Sequence, residues 1–200
     1  MEKQHGKLFI VSGPSGVGKT TVVTQFLDQH RHLFDIDRVV TFTTKQPRST
    51  EVHGVDYHFV AQHDFDAKAQ EGFFLEKSGE YGASYGTPIH IMYELPRGSS
   101  KILVIDRVGA AQIMQKHPDV VLVWIEVSSL SVLADRLSKR STESVEQVKH
   151  RLQLAEKEIQ AEKNAPMYHH YIENDKLDNA ITKLFDIVAS YCDNKTTLNM

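Results

Sequence analysis

Apolar positions in this chain form two kinds of run. Residues 8–11, Leu8-Phe9-Ile10-Val11, stand together before a glycine-rich stretch and read as a first strand. Residues 101–106 and 120–127 are continuously apolar over most of their length, as central parallel strands covered on both faces are. Elsewhere the spacing is helical. Val22, Val23, Phe26 and Leu27 predict a helix to about His30, and residues 108–117 a second. Leu130, Leu133 and Leu137 mark a third. Val145, Val148, Leu152, Ala155 and Ile159 mark a fourth running to about Lys163, with Ser144 and Gln147 as its capping box. A last helix spans 177 to about 191.

The β-branched run 38–44 reads as one strand, 54–60 as a turn into another, 63–69 as a short helix, and 73–76 and 168–173 as short strands. Residues 81–88, with two glycines and a proline, read as a turn. Strands alternating with helices predict an α/β fold with a parallel sheet, and the segment 101–127 a βαβ unit with a right-handed crossover. Two hundred residues, 40% of them hydrophobic, suit one domain. No repeat or low-complexity segment interrupts it.

The stretch Gly13-Pro14-Ser15-Gly16-Val17-Gly18-Lys19-Thr20 satisfies G-x-x-x-x-G-K-[ST] between a strand and a helix, the context that pattern requires. Glycines let successive backbone N–H groups turn inward around an anion, and the helix N-terminus adds partial positive charge. Lys19 then reaches the outer phosphates and the Thr20 hydroxyl ligates Mg2+. A nucleoside triphosphate site is expected.

Charge narrows the partners. With 23 Lys and Arg against 26 Asp and Glu, nothing points to nucleic acid or an anionic membrane. The chain has one cysteine, Cys192, so an internal disulfide is impossible and a reducing compartment fits. Residues 1–30 show no cationic start followed by an apolar segment, and no apolar stretch approaches the ~20 residues of a membrane span, so a cytoplasmic chain is expected. Phosphoryl transfer works by positioning and charge neutralisation, which calls for cations facing donor and acceptor. Two groups qualify: Lys45 with Arg48 after the second strand, and Arg136, Arg140 and Arg151 around the junction of two late helices.

Six segments in order resemble guanylate kinase, from Gly6 to about Tyr191. GPSGVGKTT at 13–21 is similar to that family's phosphate loop, TTKQPRSTEVHGVDYHFV at 43–60 to its TTRxPRxGExxGxDYxFV, and FFLEKSGEYGASYGTP at 73–88 to its EFLEWAxxxGNYYGTP. LVIDRVGA at 103–110, RLSKRSTES at 136–144 and the Glu-Asn-Asp at 173–175 resemble its LDIDxQGA, RLxxRGTES and VND. The resemblance implies a P-loop parallel sheet flanked by helices: a core of about 1–37, 98–135 and 164–200, a GMP-binding region of about 38–97 and a lid of about 136–163. It implies Mg-dependent transfer from ATP to GMP, with dGMP as a further acceptor, by a monomer or a homodimer. ATP would lie on residues 13–21, Thr21 included. Arg48, Lys45, Tyr57 and Tyr85 would hold the acceptor phosphate. Glu76 would accept from the guanine N1–H and amine, with hydroxyls from Thr41 and Thr87, and Arg136, Arg140 and Arg151 would close over the transferred group. Asp106 would be either a partner of the metal through a water or a helix-capping carboxylate.

The chain departs from the pattern at several points. Lys45 stands for an arginine, Thr50 for a glycine, Lys77 for a tryptophan, Ser84 for a tyrosine, Val104 for a carboxylate and Val108 for a glutamine. These leave two alternatives open: an interaction module that has kept the fold without the chemistry, and a kinase of another phosphorylated acceptor such as a ribose bisphosphate.

Overall fold

A computed structural model describes residues 5–80, 82–138 and 145–192. Its main sheet is wholly parallel: β1 (Leu8–Ser12), β2 (Ile36–Arg38), β7 (Ser100–Val104), β8 (Val121–Glu126) and β9 (His170–Glu173) lie in the order β2-β7-β1-β8-β9. Alternate residues of the three central strands feed opposite layers, which is why their sequences are apolar without a break. Phe9, Val11, Ile102, Val121 and Val123 meet α1 (Lys19–His30) and α6 (Leu177–Tyr191) on one face. Leu8, Ile10, Leu103, Leu122 and Trp124 meet α3 (Arg107–Lys116) on the other. The expected βαβ unit is present as a crossover that straddles β1, since β7 and β8 each pair with β1 and not with each other. The strand order therefore reverses beside β1, and the carboxyl end of β1 opens into the crevice where ligands of such sheets bind.

A second sheet holds β3 (Phe42–Thr43), β4 (His58–Phe59), β5 (Phe74–Glu80) and β6 (Ala83–Pro88), in the order β4-β3-β6-β5. Two expectations change here. The run 38–44 is not one strand: its first residue ends β2 in the main sheet, and Phe42–Thr43 pairs with β4 and β6 in the second. Residues 83–88 are not a turn but a strand, antiparallel to a β5 that continues to Glu80. Their small and polar residues carry little strand preference of their own, and the ladder to β5 imposes the conformation. Gly86 leaves room for the Phe74 ring, which a Cβ there would approach to 2.7 Å. The ring of Phe65, from α2 (Gln62–Gln70), stacks on Phe74 with centroids 4.5 Å apart.

Two late helices, α4 (Leu130–Ser138) and α5 (Val145–Asn164), follow β8. Ser144, half of the expected capping box, lies outside the described residues. The far end of α5 is fastened by a buried carboxylate. Glu162, 4% exposed, accepts from Arg107 Nε (3.0 Å), the Met167 amide (2.9 Å), the Tyr168 amide (3.4 Å) and the Tyr171 hydroxyl (2.6 Å). Arg107 Nη2 also donates to the Ala165 carbonyl at 2.6 Å. A charge this deep is tolerated because it is fully paired. No helix among the described residues is long and apolar enough to cross a membrane. Replacing Glu162 with alanine strands Arg107 and three further donors, so Glu162→Ala is expected to lower unfolding stability by about 3–5 kcal/mol in urea titration. A loss under about 1 kcal/mol would show that the clamp carries little.

Candidate active site

Between β1 and α1 the chain makes a loop shaped by close approach. A Cβ on Gly13 would sit 2.0 Å from the Ile125 carbonyl oxygen of β8, and Gly18, which caps α1, is left-handed at φ 94°. Ser15, Gly16, Gly18, Lys19, Thr20 and Thr21 face a cleft of about 980 Å³. Gly13, Pro14 and Val17 contribute backbone carbonyls behind it. Lys19 Nζ donates to the Gly13 and Pro14 carbonyls at 2.6 and 3.1 Å. The Val17 carbonyl accepts from Asn174 Nδ2 at 2.7 Å and Arg136 Nη1 at 3.4 Å.

The three expected lid cations are placed differently from one another. Arg151, on α5, lines the cleft and donates through Nε (3.1 Å) and Nη2 (2.9 Å) to the Ser15 hydroxyl, while the Ser15 amide donates to Glu158 of the same helix at 3.3 Å. Arg136 stands behind the phosphate loop. Its Nη2 reaches the carbonyls of Asn174 (2.7 Å) and Asp175 (3.3 Å), because α4 packs against the far side of the loop. Arg140 lies outside the described residues.

Across the cleft, Lys45, Arg48, Tyr57 and Tyr85 converge as expected, organised by a residue whose role the sequence did not suggest. Glu51 accepts from Lys45 Nζ at 2.5 Å and the Arg48 amide at 2.8 Å, and the Arg48 guanidinium stands 3.9 Å away. Burial alone would raise the Glu51 carboxyl, but the Arg48 amide and the Lys45 ammonium outweigh it and hold it below its ordinary value. Lys45 Nζ also sits 4.8 Å over the Tyr57 ring, which meets Tyr85 edge-on at 6.1 Å. Burial pushes the Tyr57 hydroxyl above its ordinary value. The hydroxyl is therefore a proton donor across the neutral range.

Glu76 forms the third corner. It is 2% exposed; Oε1 accepts from the Thr87 hydroxyl at 2.6 Å, and Oε2 meets no donor among the described residues. Burial, with Asp106 adding to it against the opposing Thr87 bond and Lys116, pushes its carboxyl up to about 7. Helix α3 grips the backbone on both sides: Lys116 Nζ donates to the Leu75 carbonyl (3.1 Å), and the Gln112 amide exchanges bonds with Lys77 N (3.2 Å) and O (2.7 Å). Gly109 matters here, since a Cβ on it would lie 2.6 Å from Glu76 Oε2. Asp106 lines the cleft beside Val104 and caps α3, accepting from the Gly109 amide at 2.7 Å. Thr41 lines the cleft as well, whereas Thr87 is fully buried and touches Glu76 from behind.

Besides Glu51, four residues of this arrangement had escaped the sequence reading. Arg38 sits within a β-branched run and reads there as strand; Gly109 carries no signal of its own inside a helix. Arg151 and Glu158, seven apart on one helix face, offered a spacing from which Glu158 could have been found. His150 lines the cleft next to Arg151.

A family profile described as guanylate kinase matches residues 5–191. The chain belongs to that family. It is 37% identical over 191 residues to guanylate kinase of Thermus thermophilus, covering 95% of this chain and 82% of that one. It is 38% identical over 191 residues to guanylate kinase of Nitrosospira multiformis, covering 95% and 88%. The crystal structure of guanylate kinase from Anaplasma phagocytophilum superposes with a TM-score of 0.78 at 27% identity, over 95% of this chain and 88% of that one.

In this guanylate kinase family member the empty protein bears a cost at Glu76. An acid whose folded pKa lies above its unfolded value loses stability as pH rises from about 4.5 to about 7, and the loss is complete above that. Glu76→Gln is therefore expected to stabilise the ligand-free protein by roughly 1–3 kcal/mol at pH 8 and much less at pH 5, read as Tm. An equal gain at both pH values would remove the carboxylate charge as the cause.

Proposed function

We propose that this chain transfers the terminal phosphoryl group of ATP to GMP, with dGMP as a second acceptor, giving ADP and GDP. One observation supports this above the rest: a single cleft joins a phosphate loop to a buried carboxylate with a free oxygen. Lys19 leaves the Gly13 and Pro14 carbonyls for the outer phosphates of ATP, while the backbone of residues 13–21 wraps the rest of the donor chain. Arg48, Lys45, Tyr57 and Tyr85 hold the acceptor phosphate, and Glu76 takes the N1–H and amine of guanine, two donors that adenine lacks on that edge. Thr41 adds a hydroxyl beside the base, and Thr87 acts through Glu76, holding one oxygen and leaving the other without a donor from the described residues. Arg151 and Arg140 neutralise charge near the transferred group and exclude water, and Arg136 keeps the loop in shape from behind.

The oxygens beside the loop fit Mg2+. Thr20 would ligate it and Asp106 would meet it through a water, and a hard ion that keeps water and phosphate oxygens needs no larger protein cage. When bound it neutralises charge on the donor phosphates. We place the core at about 1–37, 98–135 and 164–200, the acceptor region at 38–97 and the lid at 136–163, in a cytoplasmic chain acting alone or as a pair. Lys19 and Thr20 facing the cleft argue against a bare interaction module, and the buried Glu76 against an acceptor that has no base.

Purified protein with ATP, Mg2+ and GMP is expected to form ADP and GDP in a coupled assay; turnover of another acceptor but not of GMP would overturn the assignment. Accepting two donors requires the ionised carboxylate, and kcat/KM reports the free enzyme. For GMP it should therefore rise with pH through about 7 and level off above. Glu76→Gln should lower kcat/KM for GMP by about 1–3 kcal/mol and abolish that limb. A mutant that keeps the parent's pH profile would take Glu76 out of the site.

A further inference from the structure

We propose that Arg38 is a further acceptor-binding residue, whose guanidinium gives the acceptor phosphate the planar two-point grip that the lysine at position 45 cannot. The inference rests on reading the acceptor as GMP. Arg38 ends β2, the edge strand of the main sheet, and lines the same cleft as Lys45, Arg48 and Tyr57. Its Nη2 donates to the Asp56 carbonyl at 3.2 Å, which pins the group by one corner. Its Nε is buried and meets no acceptor, and it pairs with no carboxylate among the described residues. Among the charges bearing on the Tyr57 hydroxyl, Arg38 is the strongest, ahead of Glu51, Arg48 and Asp56.

Lys45 is in the opposite position. Its ammonium is bound to Glu51 Oε1 at 2.5 Å and capped by the Tyr57 ring, so its charge is already answered within the protein. An ammonium is also a point charge, whereas a guanidinium presents parallel N–H groups that match two oxygens of one phosphate. A partly buried cation without a counter-ion destabilises the empty protein, and an incoming phosphate dianion removes that cost. Of the two basic groups, Arg38 is the one whose donors await a partner.

Steady-state kinetics on Arg38→Gln, Lys45→Arg and the double variant tests this. Arg38→Gln should raise KM for GMP about tenfold or more and leave KM for ATP within about twofold. Adding Lys45→Arg should return KM for GMP to within about threefold of the parent, because a fork is then supplied from the neighbouring position to the same anion. If Arg38→Gln does not fold, Arg38→Lys keeps the charge and stem but loses the fork, and should show a smaller rise in KM with the same rescue. An unchanged KM for GMP, a parallel rise in KM for ATP, or no rescue by Lys45→Arg would each overturn the inference while leaving the acceptor reading intact. A parent enzyme that does not phosphorylate GMP would overturn both.

Discussion

The loop at residues 13–20 can turn its amides toward an anion only because its carbonyls are taken up elsewhere. A peptide that aims its N–H groups at a ligand aims its C=O groups away from it, and a buried carbonyl without a donor is costly. Here the Val17 carbonyl is met by Asn174 and Arg136, and the Gly13 and Pro14 carbonyls by Lys19. Asn174 and Arg136 lie 157 and 119 residues further along the chain. The local motif therefore depends on distant elements, the end of β9 and the helix α4, which the parallel sheet brings behind β1. Lys19 differs from those two braces. It lines the cleft as well as bonding to the loop, and in the proposed reading it exchanges those carbonyls for phosphate oxygens.

Two carboxylates of the same residue type show how burial separates structure from function. Glu162 is nearly inaccessible and answered on all sides, by a guanidinium, two amides and a phenol. Glu76 is buried more completely and answered on one oxygen only. The first holds elements together; the second is held by them, through Gln112 and Lys116 of α3 gripping the strand on both sides. An unsatisfied buried charge persists in a folded protein when something outside the chain completes it. Arg38, partly buried and lining the same cleft, likewise has a buried Nε without an acceptor, so the cleft is under-satisfied at two points of opposite sign, the two that the proposed acceptor would complete.

Much of this was legible in the chain because it is local. The loop, the strands β1, β7 and β8 and the helices α1, α5 and α6 announce themselves by spacing, since a strand covered on both faces or a helix with one apolar stripe leaves a pattern in its own residues. The hairpin of β5 and β6 does not. Ser78, Gly79, Ser84 and Gly86 have no strand preference, and they are extended because each is paired across the ladder, Gly79 with Ser84, Ser78 with Tyr85 and Gly86 with Lys77. The run 38–44 fails for a related reason: its residues are strand formers throughout, but which sheet each half joins is decided by partners elsewhere in the chain. Arg136 and Arg151 show the limit for side chains. Both are arginines on late helices, and only the packing of α4 and α5 decides that one braces the loop from behind while the other enters the cleft.

Helix α5 carries two sets of polar contacts of different kinds. Where it faces the loop, its contacts include Arg151 to the Ser15 hydroxyl and Glu158 to the Ser15 amide, polar bonds between part-buried groups that border an open cleft. Such bonds are each worth roughly 0.5–1.5 kcal/mol, because water can replace them. One turn beyond Glu158 the contacts converge on the buried Glu162, where removing a partner leaves an uncompensated charge. The helix is also held by apolar packing, with Ala155 fully buried and Val148 and Leu152 against the same core. The clamp is joined through Arg107 to the first turn of α3, the same turn whose Gly109 abuts Glu76 and whose capping Asp106 lines the cleft. The clamp on α5 and the wall behind Glu76 are thus one piece of structure, joined through the first turn of α3.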